Sequence, residues 1–338
     1  MKALILDKAK EFHYEERPYP RCGEGTVTVR MDAVCICGSD VHAILGRQPL
    51  FSFPRVIGHE AAGTVVEAGQ GVSDLKKGDQ VCLMPCISCK KCRACEKGQT
   101  NACKSLELYG VHRDGSLQEY LNAPAENWIK ISGDARPEEI AMLEPLTIGC
   151  HAAAKLGLKP GDRVLVMGAG PIGVSCALNA KTYGAEVILA DTSAQRRRFV
   201  SEQFELDVLD PVSYDYNSTI QRITAGQLFD AAVDTTAVKS VMENDWRQIT
   251  QGGKLVFVGI CKGMLEIPGE EFHMKEPSLF VTRNSTKADF ERVIDFWKQG
   301  ILSPGDFITH RTSFEEAGTE LLKWTAQGAD VFKGVVRF

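Results

Sequence analysis

The sequence predicts an α/β protein of two domains, a β-rich one and one built on a doubly wound parallel sheet. Length is the first reason, because 338 residues exceed what a single hydrophobic core usually organises. The second is a change of texture along the chain. Residues 1 to about 145 carry short β-branched runs, among them TVTVRMDAV at 26–34, GTVVEAG at 63–69 and DQVCLM at 79–84, separated by Gly, Pro and Asp turns. Beyond about Pro160, strand-like RVLVMG, EVILAD, FDAAVDTT and GGKLVFVGI alternate with helix-like PIGVSCALNAKTYG and SAQRRRFVSEQF. Such alternation implies parallel βαβ units. The third reason is a glycine turn at 168–173, taken up below.

After about residue 286 come two helix-like stretches, DFERVIDFWKQG and FEEAGTELLKWTAQG, and a terminal strand, KGVVRF. This tail is expected to return to the first domain. The chain has no internal repeat or low-complexity segment.

Composition narrows the function. Hydrophobic residues make up 44% and charged residues 25%, as in an ordinary globular protein. A net charge of -5 offers no basic surplus for a nucleic acid, and the densest basic run, Arg196 to Arg198, is short and reads as the solvated face of a helix. The N-terminal apolar stretch is too brief for a signal peptide or membrane span. Twelve cysteines in such a chain point to a cytoplasmic protein that binds metal through its thiols, since disulfides are rare in a reducing compartment.

The glycine turn is Gly168-Ala169-Gly170-Pro171-Ile172-Gly173, a G-x-G-x-x-G between an apolar strand and a helical pattern. The first glycine permits the tight turn, the second lets backbone approach a pyrophosphate, and the third lets helix pack on strand. The helix N-terminus then receives the negative charge. This is the fingerprint of a Rossmann domain. Asp191 ends the next strand, where a carboxylate accepts hydrogen bonds from the adenosine ribose and repels a 2′-phosphate, so NAD is expected over NADP. Arg196 and Arg197, close downstream, are expected to soften that preference. Val258 and Gly259, at the end of a later strand, are expected to border the same cofactor.

Cys89, Cys92, Cys95 and Cys103 follow C-x2-C-x2-C-x7-C, compact enough for four thiolates to close on one structural zinc. Cys86 leaves a rival frame with Cys89, Cys92 and Cys95. A second constellation is dispersed: Cys37 in CGSDVH, His59 and Glu60 in GHE, and Glu144 in LEPL. A thiolate, an imidazole and a carboxylate leave a fourth zinc position open for water or substrate.

Together, CGSD, G58-H59-E60-x2-G63-x5-G69-x2-V72, the four-cysteine loop, LEPL and GAGPIG, in this order, resemble the zinc-dependent medium-chain alcohol dehydrogenase family over essentially the whole chain. The resemblance implies a GroES-like catalytic domain, residues 1–150 and 287–338, around a Rossmann NAD-binding domain, 151–286, with the active site in the cleft. By similarity to the polyol dehydrogenase branch, Cys37, His59 and Glu144 hold a catalytic zinc, with Glu60 a ligand or exchange partner; which carboxylate binds stays open. The resemblance also implies a proton relay from the substrate hydroxyl through Ser39 and the nicotinamide ribose to His42, with Asp40 orienting His59.

GRQPLFSFPRVIGHE, YGVHRDG, EFHMKE and TRNST resemble segments of the L-galactonate and L-gulonate 5-dehydrogenases, the sugar-acid enzymes of the sorbitol dehydrogenase-like branch. An anionic polyhydroxy acid needs a cation for its carboxylate, and Arg283 is the first candidate, with Arg47, Arg113 and His112 in reserve. Polyol or L-threonine dehydrogenases, and a non-catalytic NAD-binding protein, are the rival readings. A homodimer or homotetramer is expected, through edge-strand pairing near Leu279 to Thr282.

Overall fold

The computed structural model describes residues 1–48 and 50–338. Pro49, inside the stretch GRQPLFSFPRVIGHE, lies outside the described residues. The chain forms two compact units, Met1–Pro145 with Thr286–Phe338, and Leu146–Ser285.

The first unit is organised by a seven-stranded sheet whose centre is the long strand Thr26–Cys35. Its β-branched pattern buries Val27, Val29 and Met31 completely in one core with Leu4, Leu6, Ile57 and Val65. Burial of this kind contributes about 1.5–3 kcal/mol per large aliphatic side chain. Strand Glu60–Ala68 runs antiparallel beside it, with Glu60 opposite Cys35. On the other side runs the terminal strand Gly334–Arg337, with Val335 opposite the same Cys35. This register has a chemical consequence: it gathers Lys333, Cys37, His59 and Glu60 at one end of three adjacent strands.

The stretch FEEAGTELLKWTAQG is helical over Ala317–Trp324 only. Phe314 is instead buried and tied to the sheet by its amide, which donates to Arg337 O at 2.7 Å.

The second unit is a six-stranded parallel sheet in the order Asp207–Leu209, Glu186–Ala190, Arg163–Met167, Phe229–Asp234, Ile249–Phe257, Ser278–Val281. Val164, Leu165 and Val166 are wholly buried, as a strand covered on both faces requires. The strand order reverses between Arg163–Met167 and Phe229–Asp234, the place where doubly wound sheets open a ligand crevice. EFHMKE lies in the helix Gly269–Lys275 and its cap. Among the described residues no helix is long and apolar enough to cross a membrane.

Candidate active site

The sulfur atoms of Cys89, Cys92, Cys95 and Cys103 lie within 4.8 Å of one another. Cys92 Sγ is 3.5 Å from Cys95 Sγ and 4.0 Å from Cys103 Sγ. Cys103 Sγ accepts from the amides of Cys89 at 3.2 Å and Ser105 at 3.4 Å. Amides of Cys95 and Lys104 favour the thiolate of Cys92 and lower its pKa to about 6. Four thiols gathered without a disulfide among them, with amides aimed at sulfur, fit a closed tetrahedral zinc site. Cys86 packs against this group from the short strand Cys86–Ile87 but is not one of the four.

The second cluster sits at the end of the first unit's sheet. Cys37, His59 and Glu60 each offer a ligand atom within 4.8 Å of the others. Cys37 is the N-cap of the helix Gly38–Ile44. Asp40, in its first turn and buried, accepts from the Cys37 amide at 3.0 Å and from the Gly58 amide at 3.3 Å. One carboxylate thus ties the Cys37 segment to the His59 segment. Its Oδ1 is 3.6 Å from His59 Nδ1, and that nitrogen is buried without a hydrogen-bond partner. Burial opposes a charge on His59, yet Asp40 and Cys37 outweigh it and raise its pKa well above the usual range. The surroundings therefore attract a cation, and a thiol, an imidazole and carboxylates fit zinc.

Glu144, in the first turn of the helix Leu143–Leu156, is buried and belongs to the same electrostatic group. Desolvation pushes its carboxyl up to about 7, against the pull of His59. Lys333 is the residue that sequence reasoning missed. Its buried Nζ donates to both oxygens of Glu60, at 2.8 and 2.7 Å, and to Ile36 O at 3.2 Å. The only signal was a lysine directly preceding an apolar terminal strand.

Ser39 is half-buried in the helix that Cys37 caps, and His42, one turn further, is exposed. Arg47 is exposed just beyond it. Arg113 is engaged by Glu107, and His112 Nδ1 accepts from the Leu108 amide at 3.1 Å, so both are held within their own loop. Arg283 belongs to the second unit, exposed just after the edge strand Ser278–Val281.

In that unit Gly168 has φ +95, and a Cβ on Gly173 would fall 1.8 Å from Gly168 O. A Cβ on Gly170 would meet open space, so this glycine leaves backbone exposed to a ligand. Gly170 is the N-cap of the helix Pro171–Lys181, where Pro171 sets the first turn and Ile172 follows. Asp191 is buried and accepts from the amides of Ala169 at 2.9 Å and Ser193 at 2.8 Å and from Arg196 Nη1 at 3.1 Å. Val258 and Gly259 both donate their amides to Asp234 O.

Two family models cover most of the chain. Residues 23–133 match the alcohol dehydrogenase GroES-like domain, and residues 171–299 match the zinc-binding dehydrogenase domain. An L-galactonate-5-dehydrogenase of Escherichia coli is 38% identical over 338 residues, covering 100% of this chain and 99% of its own. The chain belongs to the zinc-type alcohol dehydrogenases. An L-idonate 5-dehydrogenase of Vitis vinifera is 31% identical over 94% of this chain and 90% of its own. Among solved structures, an Escherichia coli CFT073 alcohol dehydrogenase in complex with NADH superposes with a TM-score of 0.93 at 28% identity, over 100% of this chain and 99% of that one. A Sinorhizobium meliloti zinc-binding dehydrogenase bound to NADP gives 0.90 at 27%, with the same coverage.

Proposed function

We propose that this family member is an NAD-linked, zinc-loaded dehydrogenase of sugar acids, oxidising the C5 hydroxyl of L-galactonate or L-gulonate to a keto-uronate. The observation that carries the substrate class is the full-length 38% identity to an L-galactonate-5-dehydrogenase. The intact Cys37, His59, Asp40 and Glu144 group supports catalysis rather than a merely structural fold.

Charge favours Glu144 over Glu60 as the catalytic metal's carboxylate. Glu60 and Lys333 neutralise each other, whereas two anions, Cys37 thiolate and Glu144 carboxylate, match one divalent zinc. Bound zinc supplies Lewis acidity toward the substrate hydroxyl, and bound NAD supplies the hydride acceptor. Asp40 fixes the Cys37 and His59 segments, which keeps the ligand atoms preorganised. Ser39 takes the hydroxyl proton and His42, exposed to solvent, carries it out. Cys89, Cys92, Cys95 and Cys103 hold the structural zinc. Gly168, Gly170, Pro171, Ile172 and Gly173 receive the pyrophosphate, Asp191 the ribose, and Val258 and Gly259 line the same cofactor.

The edge strand Ser278–Val281, with Leu279 40% and Val281 68% exposed, supports assembly into a homodimer or homotetramer by strand pairing. Light scattering on wild type and Val281→Lys tests this, a monomeric wild type being the adverse result. For the function itself, metal analysis and a panel of hexonates and polyols with NAD and NADP decide. About two zinc ions per chain and NAD-linked oxidation of the hexonates are expected. Activity confined to sorbitol or L-threonine would sink the sugar-acid assignment.

A further inference from the structure

The basic run Arg196 to Arg198 does not lie uniformly in solvent. Arg198 is exposed and the Arg196 side chain is 46% exposed, but that of Arg197 is only 20% exposed. All three belong to the opening of the helix Ala194–Phe204, which Ser193 caps by accepting from the Arg196 amide. A helix start carries partial positive charge, so a cation held there needs acceptors to meet it. Arg197 meets three at once. Its Nη1 donates to Asp191 O and Thr192 O, both at 2.9 Å, and its Nη2 lies 2.7 Å from Asp210 Oδ2.

These acceptors stand at the ends of two neighbouring strands. Asp191 and Thr192 follow the strand Glu186–Ala190, and Asp210 follows Asp207–Leu209, the three-residue edge strand of the sheet. The ladder between the two strands has three residue pairs, the last being Ala190 with Leu209, and just past it the Asp191 amide donates to Leu209 O at 3.1 Å. Beyond that bond the guanidinium joins the two strand ends. Asp210 is itself fixed, since its Oδ1 accepts from the Val212 amide at 3.1 Å and its backbone oxygen accepts from Ser213 Oγ at 2.9 Å.

Asp191 sits at this joint. Its carboxylate accepts from the Ala169 and Ser193 amides and from Arg196, while Arg197 grips the peptide oxygen of the same residue. Charged donors make the stronger hydrogen bonds, so the backbone that aims the carboxylate is held as firmly as the carboxylate itself. The charge of Arg197 is answered within the protein, by Asp210, and is not offered to a 2′-phosphate.

We infer that Arg197 is a positioning residue for the adenosine ribose: it ties the end of the Asp191 strand to Asp210, holds the Asp191 carboxylate where the ribose meets it, and so strengthens the NAD preference instead of softening it. This rests on the reading of Asp191 and the glycine turn as an NAD site.

The test measures NADH and NADPH binding by fluorescence titration, with thermal melts alongside, for wild type, Arg197→Ala, Arg197→Lys, Asp191→Ala and the double variant Asp191→Ala with Arg197→Ala. Arg197→Ala should weaken NADH binding about ten-fold, the scale of one hydrogen bond to a charged group, and weaken NADPH binding less. Arg197→Lys should recover part of the loss, because an ammonium keeps the charge without the planar fork that spans both strand ends. In the Asp191→Ala background the change Arg197→Ala should cost less than about two-fold, since no carboxylate is left to place. A merely structural role would instead give additive losses, and these would overturn the inference. A greater loss of NADPH than of NADH would overturn it too, by making Arg197 a ligand of the 2′-phosphate. If Arg197→Ala fails to fold, Arg197→Lys takes its place in the same cycle. A wild type that binds neither nucleotide defeats the cofactor reading itself, whereas additive losses in a chain that binds NADH defeat only the positioning role.

Discussion

Lys333 and Glu60 form a buried ion pair in which one ammonium group serves both carboxylate oxygens, at 2.8 and 2.7 Å. Removing one partner of such a pair leaves an uncompensated charge in the interior and costs about 3–5 kcal/mol. Lys333→Met should therefore destabilise the first unit by that order in denaturant titrations. Lys333→Met combined with Glu60→Leu should recover much of the loss, because no charge is then left alone. A single variant as stable as wild type would mean that the interior solvates Glu60 by other means.

The same pairing separates the two carboxylates near Cys37 and His59. Glu144→Gln should lose the catalytic metal while keeping the structural one, lowering zinc by about one ion per chain. Glu60→Gln should retain both ions, with reduced stability from the stranded Lys333. Metal analysis showing the reverse order would make Glu60 the ligand.

Cys95→Ser should remove one bound zinc and lower the melting temperature, because binding energy at a closed thiolate site is folding energy. The Cys37 and His59 ligands are not altered by it. Undiminished zinc in this variant would revive the frame that includes Cys86.

The four-cysteine loop was legible in the sequence because its ligands lie within one short segment, where spacing alone limits geometry. The glycine turn was legible for a similar reason, as its requirement is local and steric. Lys333 was not, because 273 residues separate it from Glu60 and only the strand register beside Cys35 brings them together. Arg113 and His112 looked available for an anionic substrate, and spacing could not reveal that Glu107 and the Leu108 amide already engage them.

Asp191 holds three donors, one of them Arg196. Asp191→Gly should weaken NAD use and relatively improve NADP use, since the ribose acceptor and its repulsion of a 2′-phosphate both go and Arg196 is released. The Ala169 amide loses its acceptor as well, so some loss with both cofactors is expected. Steady-state kinetics with each cofactor give the ratio. A wild type equally efficient with NAD and NADP contradicts this account at the outset.

Arg283 gives the sharpest test of the substrate's charge. A six-carbon aldonate held at its C5 oxygen leaves the C1 carboxylate several bonds away, where a fixed cation has to meet it if it is taken out of water. Arg283 is exposed in this structure, so the size of its effect reports what happens when substrate arrives. A guanidinium that stays in solvent would contribute only about 0–1 kcal/mol to a carboxylate contact. One buried against the substrate by a charge-assisted, two-point contact would cost about 2–5 kcal/mol when truncated. Arg283→Ala should fall in the second range for kcat/KM on L-galactonate or L-gulonate, and should hardly alter kcat/KM on a neutral polyol of the same length. Arg283→Lys should restore the aldonate only in part, because an ammonium cannot reproduce the planar fork. Equal losses on charged and neutral substrates would assign Arg283 to the fold or to hydroxyl contacts instead.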